Sequence, residues 1–224
     1  MNHGFKLFTP GPVQLSEEIL SMGSQQPRYF RTELFSEKMF RIERMFLEIL
    51  KAKPNSRLVT LTASGTAAME SPIVNCFEPL EKLLIINGGS FGARFSEICR
   101  YHGQSYIEHK IPFGQQLRIE ELSLYESDSI QAVLVNHHET STGHLYDLKE
   151  IESYCDRNDL LFVVDAIGSF LADPIDLDLC NIDILIVSSH KGLSLPPGVS
   201  FLVLSERAIE KIQTTKGRSF YLDI

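Results

Sequence analysis

Cysteine is scarce in this chain, and its few cysteines are not paired by spacing. Only four occur among 224 residues, at Cys76, Cys99, Cys155 and Cys180. A zinc site or a dithiol redox pair built from cysteines needs the close C-x-x-C spacing, which is missing here. A chain of this length buries most of its surface without disulfides, so we expect four buried thiols in a reducing compartment.

Positive charge and long apolar runs are also scarce. Twenty-one Lys and Arg residues against 29 Asp and Glu residues give a formal net charge of -8, which disfavours nucleic acid and anionic membrane lipid as partners. The most apolar stretches, 83–86 and 182–187, are far shorter than the ~20 residues of a membrane span. Residues 1–12 lack the apolar core of a secretory signal, so we expect a cytoplasmic protein.

Apolar segments alternate with amphipathic ones along the chain, which predicts an α/β fold with a mainly parallel sheet flanked by helices. The predicted strands are 57–62, 82–87, 104–109, 130–136, 160–165, 182–187 and 199–204. The predicted helices are 33–51, 65–77, 91–102, 119–126, 147–157 and one that begins at Glu206. Internal repeats and linkers rich in Gly, Ser or Pro are missing, which favours one domain.

Residues just after the predicted strands are the candidates for chemistry, because ligands of open α/β sheets bind outside the carboxyl ends of the strands. Ser64, Gly65 and Thr66 follow the first strand and open a helix, either as a phosphate cradle or as an ordinary helix cap. Neither a Walker loop nor a G-x-G-x-x-G fingerprint is present, which disfavours a nucleoside triphosphate or a nicotinamide dinucleotide.

Three further candidates follow later strands. Phe91 lies in a glycine-rich corner, either as a stacking platform for a planar ring or as a core residue. Asp165 ends an apolar strand, where a buried carboxylate needs a cation such as a protonated ring nitrogen, unless it caps a loop. Lys191 precedes a loop stiffened by Pro and Gly, either as a partly buried nucleophile with a lowered pKa or as an ordinary surface lysine.

Two adjacent histidines, His137 and His138, follow the 130–136 strand, and the polar run continues to Gly143. In an extended segment, consecutive side chains point to opposite faces. The two imidazoles are therefore not expected to bind one ion together, and we predict no metal site.

The candidate residues belong to seven short motifs. These are TPGP at 9–12, SGTAAME at 64–70, NGGSFG at 87–92, HETSTG at 138–143, VVDA at 163–166, SSHKG at 188–192 and PG at 197–198. A phosphate cradle, an aromatic, a buried aspartate and a late lysine at one sheet edge are the parts that hold pyridoxal phosphate. In this order the motifs resemble the class V pyridoxal-phosphate-dependent aminotransferases, specifically the alanine/serine–glyoxylate and 2-aminoethylphosphonate–pyruvate branch. The resemblance covers nearly the whole chain and implies the three-layer α/β/α large domain of fold type I.

The resemblance implies roles for the residues around the cofactor ring. Lys191 would form a Schiff base with pyridoxal 5'-phosphate and, once displaced by the substrate amine, would move the proton of the substrate α-carbon. Asp165 would pair with the protonated ring nitrogen. Phe91 would stack on one face of the ring, and Ile167 would pack on the other.

It also implies the residues that bind the polar substituents of the cofactor. Ser64, Gly65 and Thr66 would hold the phosphate together with His190, and Thr140 would reach the phenolic oxygen or its neighbourhood. The position of His190 is often glutamine in this branch and is histidine in the related cysteine desulfurases, which is a departure from the pattern.

The resemblance also implies a domain organisation. Residues 1–20 would be an N-terminal arm and 21–224 the cofactor-binding large domain, whereas the small C-terminal domain that binds the substrate carboxylate in family members would be absent. Family members assemble their site from two chains, so a homodimer is implied. Arg31 is then a candidate for contact with a substrate anion across the interface, unless it is an ordinary surface arginine at a helix start.

Three functions are compatible with the sequence. The first is a transaminase that moves an amino group from alanine, serine or 2-aminoethylphosphonate to pyruvate or glyoxylate. The second is a non-catalytic cofactor-binding module or dimerisation partner, because the missing domain would abolish turnover. The third, ranked last, is a cysteine desulfurase-like lyase, for which none of the four cysteines lies in a suitable loop.

Overall fold

The computed structural model describes residues 6–126 and 128–224, so the first five residues of the predicted arm lie outside the described residues. Seven strands form the central sheet in the order β1-β9-β8-β7-β4-β2-β3. They are β1 (Arg57–Leu61), β2 (Lys82–Asn87), β3 (Tyr106–Lys110), β4 (Ile130–Asn136), β7 (Leu161–Asp165), β8 (Ile184–Ser188) and β9 (Ser200–Leu204). Strand β9 runs antiparallel to β1 and β8, and the remaining pairs are parallel.

Six α-helices, a 3₁₀ helix and a small hairpin accompany the sheet in the described part of the chain. The helices are α1 (Glu17–Met22), α2 (Glu33–Ile49), α3 (Gly65–Cys76), α4 (Ser90–Tyr101), α5 (Leu148–Arg157) and α6 (Glu206–Thr214). The hairpin consists of β5 (His138–Glu139) and β6 (His144–Leu145) and follows β4 directly. Neither α1 nor the hairpin was among the predicted elements, because both are too short to show a periodic apolar pattern.

Two apolar cores lie on the two faces of the sheet. Alternate residues of each strand point to opposite faces, as Val133 and Leu134 of β4 do. One face packs on α2 and α5, and the other packs on α3, α4 and α6. The predicted three-layer α/β/α arrangement is therefore confirmed.

One predicted α-helix was wrong in type. Residues Ile119–Tyr125 form a 3₁₀ helix, in which Leu122 is the fully buried side chain and Glu126 N–H bonds to the carbonyl of Ser123. Ile119 and Tyr125 pack beside Leu122 on the core, whereas Leu124 is exposed, and a run of seven residues is too short to be a stable α-helix by propensity alone.

Strands β3 and β8 start two residues later than predicted, and β7 and β9 start one residue later. Before β3, the side-chain amide of Gln104 donates to the carbonyls of Glu78 and Glu81. Before β8, the carboxylate of Asp183 accepts the N–H of Phe162 in β7 at 2.9 Å. Polar side chains therefore take up hydrogen bonds at the amino ends of β3 and β8.

The four cysteines are buried free thiols, as expected from their spacing. Burial raises the pKa of the Cys76 thiol to about 12. Among the described helices, none is both long enough and apolar enough for a membrane crossing.

Candidate functional site at the carboxyl edge of the sheet

Asp165 is the most deeply buried charged candidate and lies at the carboxyl end of β7, beside Asn136 at the end of β4. The amide of Asn136 donates to Asp165 Oδ2 at 2.8 Å, and the N–H of Ile167 donates to Asp165 Oδ1 at 2.8 Å. Burial raises the pKa of the Asp165 carboxyl to about 6, although both hydrogen bonds oppose the rise. Asp165 forms no ion pair with any residue in 6–126 or 128–224.

Lys191 follows β8 by three residues and is half-buried. Burial lowers the pKa of its amine, and attraction to Asp165 partly offsets the shift. The N-terminal segment lies against it: a Cβ on Gly11 would collide with Lys191 Cδ and would lie 2.9 Å from the carbonyl oxygen of His190. The N–H of Val13 also donates to that carbonyl at 3.3 Å. The arm and the lysine loop therefore fix each other.

The predicted phosphate cradle lies beside the residue predicted to face the ring. A Cβ on Gly65 would lie 2.5 Å from Ile167 Cδ1 and 3.4 Å from Ser188 Cβ. The oxygen of the Ser64 hydroxyl accepts no cap hydrogen bond from α3, and its O–H can donate to an acceptor outside the helix. His190 Nδ1 lies 3.0 Å from Ser188 Oγ, which holds the imidazole next to the cradle.

An arginine connects the cradle to the predicted stacking aromatic. The guanidinium of Arg94 donates to Thr66 Oγ1 at 3.1 Å, and its Cζ lies 5.7 Å from the centroid of the Phe91 ring. Thr66 and Phe91 open two different helices, α3 and α4. Arg94 thus holds the two helix starts together.

Thr140 lies at the tip of the hairpin, close to the segment that follows Asp165. Its Oγ1 would be 3.5 Å from a Cβ on Gly168. The residue before it in the chain, Glu139, accepts hydrogen bonds from the N–H groups of Phe91 and Gly92, both at 3.1 Å. Phe91 and Thr140 are therefore brought to the same corner.

The two adjacent histidines have different surroundings. His137 Nδ1 lies 2.8 Å from Ser169 Oγ, and burial lowers the pKa of its imidazole to about 4. His138 Nδ1 is buried without a hydrogen-bond partner. Within 6–126 and 128–224, no group of three or more His, Cys, Asp or Glu side chains is arranged to hold a metal ion.

The structure connects all nine residues predicted at the site, either through contacts of their own or through chain neighbours and the side chains of Arg94, Glu139 and Ser188. Arg31 is not part of that set, because it is exposed and its guanidinium lies 5.5 Å from the Phe30 ring centroid. Sequence reasoning missed Asn136, Arg94 and Glu139 as supporting residues. For Asn136 there was a signal, since a polar residue ended the strand before that of Asp165.

Comparison with known proteins identifies the family. The model of the class V aminotransferases matches residues 28–223. This chain belongs to the class V aminotransferase family. The resemblance drawn from the seven motifs is thus confirmed, and members of this family are pyridoxal-phosphate-dependent.

Individual relatives carry several names. A solved structure of an alanine–glyoxylate aminotransferase from Nostoc sp. is 31% identical, covers 96% of this chain and has a TM-score of 0.89. A 2-aminoethylphosphonate–pyruvate transaminase of Vibrio cholerae is 27% identical over 100% of this chain. A protein of Anabaena cylindrica named soluble hydrogenase 42 kDa subunit is 30% identical over 100% of the chain. The chain spans 58%, 61% and 59% of these proteins, respectively.

The residues present fit pyridoxal phosphate. A buried carboxylate without a cationic partner, Asp165, suits a protonated ring nitrogen. A free hydroxyl at a helix start, Ser64, suits a phosphate. An amine with a lowered pKa, Lys191, suits an aldehyde.

Proposed function

We propose that this chain binds pyridoxal 5'-phosphate and transfers an amino group from a small donor to pyruvate or glyoxylate. The candidate donors are alanine, serine and 2-aminoethylphosphonate. Residues 21–224 form the cofactor-binding large domain in this proposal, and residues 1–20 form an arm. Family membership and the names of the relatives support the reaction class.

One observation carries the proposal. Asp165 is 1% exposed, has no ion-pair partner among the described residues and interacts electrostatically with Lys191. A carboxylate is costly to bury alone, and a cationic ring between the two side chains removes that cost. Asp165 also caps the loop after β7, where it accepts the N–H of Ile167 at 2.8 Å. That uncharged donor and the amide of Asn136 leave the negative charge unneutralised, which supports a cationic ligand.

Each residue then has a physical task. Bound pyridoxal phosphate supplies an aldehyde for the donor amine and a ring that accepts the electron pair of the broken bond. Lys191 holds the cofactor through Nζ and later moves a proton at Nζ to and from the carbon that bears the amine. Asp165 keeps a proton on the ring nitrogen, because its ionised carboxylate favours the cationic form.

The remaining residues bind and orient. The net charge of -8 repels an anionic phosphate, so nearby hydrogen-bond donors must bind it. In this proposal the donors are Ser64, the N–H groups of Gly65 and Thr66, and His190. Phe91 and Ile167 cover the two faces of the ring and exclude water. Thr140 donates towards the phenolic oxygen.

The half-reaction tests this function. The chain is loaded with pyridoxal phosphate and mixed with each donor, and the conversion of the cofactor to pyridoxamine phosphate is followed by its absorbance. We expect conversion with at least one donor and reversal by pyruvate or glyoxylate. Lys191→Ala abolishes it, whereas Lys149→Ala, an exposed lysine of α5, behaves as wild type.

The other outcomes distinguish the alternatives. Cofactor capture with no conversion by any donor favours a non-catalytic binding module. Sulfur release from cysteine favours a cysteine desulfurase-like lyase.

We further propose a homodimer in the cytoplasm. Helix α2 exposes large apolar side chains along one stripe, namely Leu34, Ile42, Met45 and Ile49, which supports burial against a second copy. Light scattering should give twice the chain mass for the wild type and for Arg44→Glu, an exposed position outside that stripe, and the chain mass for Met45→Glu. The four free thiols fit a reducing compartment.

A further inference from the structure

Glu139 is a buried carboxylate for which the proposed reaction has no task. It is 1% exposed, yet it forms no ion pair with any residue in the described ranges. Its hydrogen bonds all come from uncharged groups. Burying a carboxylate without a cationic partner costs free energy. We therefore examine which segments the hydrogen bonds of Glu139 join.

The two oxygens of Glu139 bind two different segments. Oε2 accepts the N–H groups of Phe91 and Gly92, both at 3.1 Å, in the first turn of α4. Oε1 accepts the N–H of Ser141 at 3.1 Å and its hydroxyl at 2.6 Å. The hydroxyl of Ser141 in turn accepts the N–H of Ser90 at 3.0 Å. One carboxylate therefore joins the start of α4 to the hairpin tip.

This connection replaces the local cap that α4 lacks. The N-cap residue is Gly89, which has no side chain to accept the free N–H groups of the first turn. A Cβ on Gly89 would lie 2.5 Å from Cδ of Glu139. Glycine at this position therefore lets the carboxylate reach the helix start, where the helix dipole favours a negative charge.

Both ends of the connection carry residues proposed to touch the cofactor. Phe91 is itself one of the N–H donors, and Thr140 lies between Glu139 and Ser141 in the chain. Since the platform and the hydroxyl come from segments about 50 residues apart, their relative position depends on what links them. Arg94 fixes the other side of Phe91 through Thr66.

We infer that Glu139 is a positioning residue that holds the Phe91 platform and the Thr140 loop in one arrangement at the cofactor site. The inference rests on the proposed function. The two oxygens of the carboxylate accept four donors, whereas an amide has one acceptor oxygen and an NH₂ group. In Glu139→Gln the NH₂ group would face either the N–H groups of α4 or the donors of Ser141, and the bonds on that side would be lost. Phe91 N–H could then keep only its longer contact to Oε1, at 3.4 Å, if the oxygen stays on the Ser141 side.

The test compares Glu139→Gln with Glu150→Gln, an exposed glutamate of α5 that undergoes the same change of charge. Pyridoxal phosphate is titrated into each chain, and the visible circular dichroism of the bound cofactor is recorded. We expect Glu139→Gln to raise the dissociation constant about tenfold or more and to alter the visible band. Glu150→Gln should match the wild type.

A second measurement separates positioning from general stability. If Glu139 only stabilised the fold, Glu139→Gln would lower the melting temperature of the cofactor-free chain but leave the dissociation constant and the visible band unchanged below that temperature. That result overturns the inference while the wild type still binds cofactor. A wild-type chain that does not bind pyridoxal phosphate contradicts the proposed function, and the inference falls with it.

Discussion

The side-chain amide of Asn136 donates to Asp165 Oδ2 at 2.8 Å, from the adjacent position on the neighbouring parallel strand. This bond is one of two that the buried carboxylate receives from the protein, the other being from the N–H of Ile167. It favours the ionised form of Asp165 and fixes the orientation of the carboxylate. Asn136 therefore favours the charged form of Asp165 that the proposed function requires.

Asn136→Ala should weaken cofactor binding. Loss of a hydrogen bond to a buried charged group costs about 1.5–3 kcal/mol, which corresponds to a dissociation constant roughly 10- to 100-fold higher. Fluorescence titration with pyridoxal phosphate measures this change. Gln131→Ala, at an exposed position on the same strand, is the matched control, and an equal effect of the two variants would contradict the account.

Asp165→Asn should change how stability depends on pH in the cofactor-free chain. Burial raises the pKa of this carboxyl from its ordinary value of 3.8 to about 6 in the folded chain, so the folded state binds the proton more tightly than the unfolded state. The free energy of unfolding of the wild type should therefore fall as pH rises from about 4 to 6. A pKa difference of about two between the folded and unfolded states corresponds to a loss of about 3 kcal/mol in the free energy of unfolding.

The Asn variant lacks this loss, because residue 165 no longer ionises. The free energy of unfolding is measured by urea denaturation at pH 4 and pH 7. The variant should be more stable relative to the wild type at pH 7 than at pH 4. A pH-independent difference would mean that Asp165 is not desolvated. The same variant should bind pyridoxal phosphate more weakly, because the ring nitrogen loses its anionic partner.

Gly11→Ala should disturb Lys191 without touching the sheet. The added methyl group would overlap the Lys191 side chain and approach the His190 carbonyl to 2.9 Å, and the backbone oxygen cannot easily yield. We expect pyridoxal phosphate to react with Lys191 more slowly in this variant. The rate is measured by trapping the product with borohydride at successive times. In Gly23→Ala the methyl group would meet nothing closer than 3.4 Å, so this control should label at the wild-type rate.

Gly65→Ala should weaken cofactor binding by overpacking. The new methyl group would lie 2.5 Å from Ile167 Cδ1, so the isoleucine must move from its position beside the cradle. Overpacking of this kind typically costs about 1–3 kcal/mol, or roughly tenfold or more in the dissociation constant. The double variant Gly65→Ala with Ile167→Val removes Cδ1 and should recover much of the affinity; no recovery would exclude this contact as the cause.

The sequence predicted the sheet and the principal candidate residues because strong physical signals marked them. A charge at the end of an apolar run marked Asp165, and a Ser-Gly-Thr helix start marked the cradle. Seven short apolar runs alternating with amphipathic segments left little choice of fold class. These signals are local, so they can be recognised without knowledge of the tertiary contacts.

Contacts between distant segments could not be predicted in this way. Glu139 reaches α4 from 47 and 48 positions away, and nothing in its local pattern distinguishes it from a surface glutamate of a turn. Gly11 packs against Lys191, although the two residues are separated by most of the sequence. Helix α1 and the hairpin were missed because each is too short to show a periodic apolar pattern; α1 has no buried residue and is capped locally by Ser16.

The central claim is that Lys191 is the amine that carries pyridoxal phosphate. Incubation with the cofactor, reduction with borohydride and peptide mapping by mass spectrometry test it directly. The account predicts one phosphopyridoxyl group on the peptide that contains Lys191 and none after Lys191→Ala. A label on another lysine that persists in Lys191→Ala, or no label on the wild-type chain, would contradict it.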